Sequence, residues 1–172
     1  MFVRTHAGAL VGIDAVTVTV EVNITGGGLG LFLVGLPDNA VKESEQRIRA
    51  AFENSGERMS GKKVVVSLAP ADLRKEGSGF DLPIAVGILA AMGRVNADAV
   101  GGTPFVGELS LDGPLTPVRG VLPIALRARS DALRLLPPAA PAPGAALDGG
   151  LAAAGAPPPP HVTPAAHRRD AT

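Results

Sequence analysis

Apolar and polar residues alternate with a period of two near the start of the chain. The apolar positions of this run are Val16, Val18, Val20, Val22 and Ile24. Such alternation is typical of a strand that turns one face toward a core. Leu10–Ile13 predicts a preceding strand, or the start of this one. A glycine-rich stretch over residues 26–30 then interrupts the pattern and residues 31–34 resume it, which predicts a hairpin with a loose glycine turn.

Helical spacing follows this predicted hairpin. The segment Pro37-Asp38-Asn39 predicts a helix start with Asp38 or Asn39 as N-cap, and Gly56 suits a left-handed position after the helix. The apolar face is predicted to consist of Val41, Ser44, Ile48, Ala51 and Phe52.

A second helix is predicted over the almost wholly apolar residues 80–92, with Asp81 as its cap and Pro83 in its first turn. Between the helices, Lys63–Ala69 predicts a strand, and its unbroken valines favour burial on both faces. A strand over 104–111, a turn at Asp112-Gly113, a strand over 115–118 and a helix over 120–129 complete the pattern. The order β-β-α-β-α-β-β-α indicates an α/β (α+β) domain with a mixed sheet.

Composition changes sharply at residue 137. Of the last 36 residues, 12 are Ala, 9 are Pro and 4 are Gly. Such a segment buries too little apolar surface to offset its ordering entropy. We therefore expect a domain over residues 1–136 and a disordered Ala/Pro-rich tail over 137–172.

Composition also narrows the function classes. The 172-residue chain has a formal net charge of zero, no Cys, Trp or Tyr, and three scattered His. Disulfides and thiolate metal sites are excluded, and stacking platforms for single-stranded nucleic acid are scarce. The longest apolar stretch, over 82–92, is shorter than the roughly 20 residues that span a bilayer, so we expect a cytoplasmic protein with no membrane partner.

Two glycine-containing motifs suggest phosphate chemistry. Residues 56–63, GERMSGKK, nearly match a P-loop, but Lys63 stands where the motif needs Ser or Thr. The segment also follows a predicted helix and leads into a strand, which favours a basic surface loop. The turn Gly77-Ser78-Gly79 precedes a predicted helix, so it suits either an anion or oxyanion site or a tightly packed polar loop. No spacing among the carboxylates is diagnostic of a metal site.

Three long segments carry a family resemblance. VGLPDNAVKESEQRIRAAFENSG, VSLAPADLRKEGSGFDLPIAVGILAA and FVGELSLDGPLTPVRGVLPIALRAR strongly resemble the N-terminal domain of the YifB/ComM family of magnesium-chelatase-like AAA+ ATPases. The resemblance spans about residues 9–136. It implies a Lon protease-domain-like fold of the ribosomal protein S5 domain 2 type. Full-length members resemble ring-forming ATPases implicated in DNA branch migration, recombination and natural transformation.

The resemblance also bears on catalysis. Lon-type chemistry uses a Ser nucleophile and a Lys base. Aligning this chain on that pattern places Gly79 at the nucleophile position and Leu122 at the base position, with Ser78 one residue early as a weak candidate. Neither Gly79 nor Leu122 can perform its step, so we expect no peptidase activity. ATP and magnesium are expected only in the ATPase module, which has no counterpart after Leu136, so no cofactor is expected in this chain.

Three functions remain open at this stage. The first is a non-catalytic accessory domain of such an ATPase, with DNA, a ring-forming ATPase or a second copy of itself as partner. The second is a vestigial Lon-like serine hydrolase that uses Ser78. The third is a non-functional truncated or frameshifted fragment, for which we expect marginal stability or self-association. Candidate phosphate contacts are Arg47, Arg49, Arg58, Lys62, Lys63, Arg74 and Lys75, although solubilising surface charge explains each singly.

Overall fold

A mixed five-stranded sheet with helices on both faces forms the domain, and this confirms the predicted α+β class. The computed structural model describes residues 1–59, 61–131 and 133; the predicted tail and the proposed boundary at 136 lie outside this part. The strands are β1 (Phe2–Val11), β2 (Asp14–Gly26), β3 (Gly30–Val34), β4 (Lys62–Ala69), β5 (Pro104–Phe105), β6 (Glu108–Leu109) and β7 (Leu115–Thr116). The helices are α1 (Asn39–Asn54), α2 (Asp81–Ala91), α3 (Ala97–Val100) and α4 (Val121–Ser130).

A long hairpin joins β1 to β2 through a tight turn at Gly12-Ile13, and β6 and β7 form a separate short antiparallel pair. Its antiparallel register runs from Phe2 opposite Asn23 to Val11 opposite Asp14. The predicted hairpin between β2 and β3 is wrong, because β4 inserts between them in the order β3-β4-β2-β1-β5. β3 pairs with β4 in parallel, and α1 supplies the long crossover that a parallel pair requires.

β4 is buried on one face only. Val64, Val66 and Leu68 are buried, whereas Val65 between them is partly exposed. The prediction that both faces of this strand are covered is therefore wrong. The physical reason is that α4, the helix on the second face, packs against β1 and β2.

α2 is the centre of the core, as the apolar run predicted. All its eleven residues are buried, and it packs against β1, β2, α1 and α3. The hydroxyl of Thr5 on β1 donates a hydrogen bond of 2.9 Å to the carbonyl of Pro83. A Cβ at Gly87 would lie 2.7 Å from Cγ2 of Val22, so the helix needs glycine there to approach β2.

α1 matches its prediction closely. The Asp38 side chain caps it by accepting from the Val41 amide at 2.8 Å. The five residues buried along the helix are those that the spacing predicted. Gly56 has the expected positive φ of 79°. Asp81, in contrast, is the first residue of α2 rather than its cap, which is Phe80.

The predicted strand over 104–111 is two short strands, β5 and β6. They separate at Gly107, whose backbone pairs with the segment before α2. Its N–H donates to the Gly79 carbonyl at 3.1 Å, and its carbonyl accepts from the Leu82 N–H at 3.0 Å. The one-turn α3 was not predicted. No helix in the described part of the chain is both long and apolar enough to cross a bilayer.

Candidate functional site

The glycine turn before α2 is anchored to the segment that precedes α1. Gly77 has a φ of 87°, and residues 78–80 form a short 3-10 turn that leads into α2. The Lys75 N–H donates to the Leu36 carbonyl at 3.1 Å, and the Asp38 N–H donates to the Lys75 carbonyl at 2.9 Å. These bonds hold the turn against the start of α1, as the shared sheet-like bridge between Pro37 and Lys75 also indicates.

Carboxylates of the chain itself occupy this turn. The Gly77 N–H donates to Oδ2 of Asp38 at 3.2 Å. The Ser78 hydroxyl donates to the Glu108 carboxylate, and Asp81 lies at the start of α2. Bringing an additional anion here would place like charges together, so the geometry favours the packed polar loop over an anion or oxyanion site.

Asp81 is the most connected polar side chain of this region and is fully buried. Its Oδ1 accepts from the Ser44 hydroxyl and from Nη2 of Arg47 at 3.0 Å. Its Oδ2 accepts from Nε of Arg47 at 2.6 Å and from the Leu109 N–H at 3.0 Å. The hydrogen bond to Asp81 raises the pKa of Arg47. This network joins α1, α2 and β6, so Arg47 is committed to a structural ion pair.

The sequence prediction assigns Gly79 and Leu122 to the nucleophile and base positions of the Lon pattern. A Cβ at Gly79 would lie 3.2 Å from Cγ2 of Val106, which limits the room at this position. Leu122 lies on α4 with 70% of its surface exposed. Ser78 is partly buried, and its partner is the Glu108 carboxylate. That contact is with an acid, whereas the Lon pattern supplies an amine.

Lys75 is not presented at the surface. It is fully buried, and its ammonium donates to the Pro70 carbonyl. Desolvation lowers the pKa of Lys75, and the nearby charge of Asp72 opposes that shift. The side chain is therefore placed to hold the loop over residues 70–75, and a phosphate could reach it only after the loop rearranged.

The remaining candidate phosphate contacts lie at separate positions in the structure. Arg74 is exposed and pairs with Glu76 at 3.3 Å. The Lys63 ammonium lies 5.5 Å from the centre of the Phe32 ring on the outer sheet face. Arg58 and Lys62 line one cavity together with Arg49. The structure thus brings three of the seven predicted cations together and scatters or buries the others.

Sequence reasoning did not connect Ser44 to Asp81 or Ser78 to Glu108. These partners are 37 and 30 residues apart along the chain, and no local pattern marks such a pair. The sequence signal for the first pair was Ser44, a polar residue on the predicted apolar face of α1. Within the described residues, no three His, Cys, Asp or Glu side chains cluster as a metal site would require.

Comparison with known proteins identifies the family. Residues 20–140 match the family model described as subunit ChlI of Mg-chelatase. The chain is 44% identical over 131 residues to the competence protein ComM of Haemophilus influenzae, covering 76% of this chain and 26% of that protein. It is 46% identical over 123 residues to YifB of Salmonella typhimurium and of Escherichia coli, covering 72% of this chain and 24% of each relative.

The chain spans about a quarter of the length of these curated relatives. The matched region includes β3, β4, β5, α1, α2 and α4, so the match concerns most of the described core and not one motif. On this evidence the chain belongs to the magnesium-chelatase ChlI-like family, with the ComM and YifB proteins among its relatives.

Proposed function

We propose that this chain is a non-catalytic Lon-like domain of a ComM/YifB-type ATPase, and that it acts in assembly or in DNA engagement beside the motor. The observation that carries the proposal is the identity of 44–46% over about three quarters of the chain to ComM and YifB. The S5 domain 2-like fold, the cytoplasmic location and the link to recombination and transformation belong to the same proposal. ATP and magnesium would act in the motor.

The arrangement around α2 supports a non-catalytic role. Its charged groups, Asp81 and Arg47, are used to join α1 to β6. Gly79 and Leu122 stand where a Lon-type enzyme needs its nucleophile and base. A domain of this kind would hold a motor and its substrate in a fixed relative position. This role requires a binding surface and a rigid fold.

DNA binding by the full 172-residue chain tests the proposal. A labelled four-way junction and a duplex of equal length would be titrated at low salt, and the measurement repeated as salt rises. Steeply salt-dependent binding with preference for the junction is expected, because phosphate contacts release counterions. Absence of binding to both DNAs at low salt, together with no association with a ring-forming ComM/YifB-type ATPase, would contradict it.

Ser78 defines the alternative function, a vestigial serine hydrolase. Its hydroxyl lies on the turn before α2 and is hydrogen-bonded to Glu108. A peptidase assay and labelling by a fluorophosphonate probe would be compared between the natural chain and Ser78→Ala. We expect neither turnover nor labelling. Labelling that disappears in Ser78→Ala would favour the hydrolase over the accessory domain.

A further inference from the structure

A cavity of about 520 Å³ lies between the second half of α1, the start of β3 and the start of β4. Arg49 and Glu53 reach it from α1, Arg58 from the loop after α1, and Lys62 from the first position of β4. Apolar contacts come from residues such as Leu29 and Val64. The size is within the range of small-molecule sites in proteins. None of these lining residues belongs to the turn before α2.

The charge of this cavity is predominantly positive. Three of its lining residues are cationic, and Glu53 is the one carboxylate among them. Arg49 already pairs with Glu45 at 3.0 Å. Within the described part of the chain, no carboxylate oxygen lies at ion-pair distance from Arg58 or Lys62. Arg58 and Lys62 therefore flank a concave apolar floor without forming an ion pair within the described residues, although the net charge of the chain is zero.

The segment that carries Arg58 and Lys62 is the one that nearly matches a P-loop. It follows α1 and leads into β4, so its backbone does not open a helix toward a ligand as a P-loop does. Its side chains supply the positive charge instead. Arg58 and Lys62 are four residues apart along the chain, and both line the cavity together with Arg49.

We infer that the cavity lined by Arg49, Arg58 and Lys62 binds a phosphate group. A guanidinium binds phosphate through two parallel hydrogen bonds, and a lysine adds a compact charge. The apolar floor accommodates the sugar or base attached to that phosphate. A free nucleotide and a phosphate of a DNA strand share this chemistry. The inference goes beyond the proposed function, because a nucleotide at this site would not require DNA binding.

Competition binding with the full chain tests this inference. A fluorescent ATP analogue without magnesium would be titrated first, and then displaced by inorganic phosphate, by ATP and by a short oligothymidylate. The double variant Arg58→Gln/Lys62→Gln should weaken binding about tenfold or more, since the loss of even one charged hydrogen bond costs about 1.5 kcal/mol. The variant Arg119→Gln/Arg129→Gln, which removes two exposed cations near α4, should leave it unchanged.

Glu53→Gln gives a test of opposite sign. Removing the one carboxylate of the lining should tighten phosphate binding, by about threefold to tenfold at low salt, because a like charge beside the ligand is lost. A variant that merely disturbs the fold would not strengthen binding. Thermal unfolding of each variant checks that all three chains remain folded.

The possible outcomes separate the two sources of phosphate. Displacement by ATP and phosphate but not by the oligonucleotide supports a nucleotide site, and would stand even if the chain failed to bind DNA. Displacement by the oligonucleotide, with a salt slope that falls in magnitude by about 1.4 in the double variant, supports contact with strand phosphates. Absence of binding by all probes at low salt, or equal loss in the control variant, overturns the inference.

Discussion

Asp81 carries a carboxylate that has no exposed surface and four hydrogen-bond donors around it. Replacing it by Asn would leave the guanidinium of Arg47 without its buried counter-charge. We expect Asp81→Asn to lower the free energy of unfolding by about 3 kcal/mol, since breaking a buried ion pair costs about that much. Urea denaturation followed by circular dichroism measures the change.

Glu43 provides the matched control for Asp81. It also faces Arg47, at 3.6 Å, but it is 69% exposed. An exposed ion pair contributes less than about 1 kcal/mol, so Glu43→Gln should change little. Equal losses in the two variants would show that Asp81 has no special role in joining α1 to β6.

We expect His6 to make the folded chain less stable in acid. Burial lowers the pKa of His6, and the Arg4 charge acts in the same direction, while a hydrogen bond with the Gly101 backbone opposes them. Between the lowered folded pKa and about 6.5, the unfolded chain binds more protons than the folded chain. Stability should therefore fall as the pH drops below about 6.5. The fall should be complete below the folded pKa.

The His6→Gln variant isolates this contribution. The free energy of unfolding of both chains would be measured at about pH 8 and about pH 5, on either side of an ordinary histidine pKa. The natural chain should lose more stability than the variant. An equal change in both chains would mean that His6 titrates alike in the folded and unfolded states.

Sequence alone was sufficient to predict the role of a residue where that role depends on residues nearby in the chain. The five residues of the buried face of α1 follow from spacing within one helix, and the local sequence restricts the cap to Asp38 or Asn39, of which Asp38 is the cap. The roles of Asp81 and Lys75 could not be predicted, because each depends on partners that the fold delivers. The sequence predicts Asp81 as a cap and Lys75 as a candidate phosphate contact, since both residue types are usually exposed.

α4 contacts the sheet closely because β1 has no side chain at Gly8. A Cβ at this position would lie 2.7 Å from Cγ1 of Ile124 and still nearer to Cγ2. Gly8→Ala should force the helix outward and cost about 1–3 kcal/mol, as overpacking usually does. Thermal or urea unfolding of the variant gives the value.

Gly26→Ala is the comparison for Gly8→Ala. Gly26 ends β2, and a Cβ there would meet no atom within 4 Å. Its φ is not among the positive values, so alanine should be tolerated with little change. Similar losses at both positions would indicate that strand conformation, and not the contact with α4, governs the effect.

At the level of elements, local patterns predicted which segments are strands and helices but not how strands pair. The glycine-rich stretch before β3 resembles a hairpin turn, yet β4 takes the place beside β2. The unbroken valines of β4 suggested two buried faces, and only the placement of α4 decides otherwise. Strand pairing depends on contacts across the whole sheet, so the local sequence of a strand does not determine its partners.

The whole molecule exposes apolar side chains around the outer side of α4. Leu122 and Leu126, one helical turn apart, are 70% and 56% exposed. The β1–β2 turn adds Leu10 and Ile13, and Leu10 borders the start of α4 at Gly120. With a net charge of zero, little repulsion opposes contact between copies. The chain should therefore self-associate as its concentration rises.

Sedimentation velocity over a range of concentrations measures this association. Leu122→Ser/Leu126→Ser should restore a single monomeric peak, because it removes the exposed apolar surface of α4. Leu111→Ser is the control, since Leu111 is 58% exposed in the turn between β6 and β7. A sharp monomeric peak for the natural chain at every concentration would contradict the prediction.

α2 has no face turned toward water, and the sheet, α1 and α3 pack around it. Its amide protons can therefore reach solvent only when surrounding elements come apart together. In native-state hydrogen exchange, the amides of α2 should be the slowest and should report the global free energy of unfolding. The exposed last turn of α4 should exchange far sooner. If the domain serves a motor, α2 is the part that stays intact while the outer elements open.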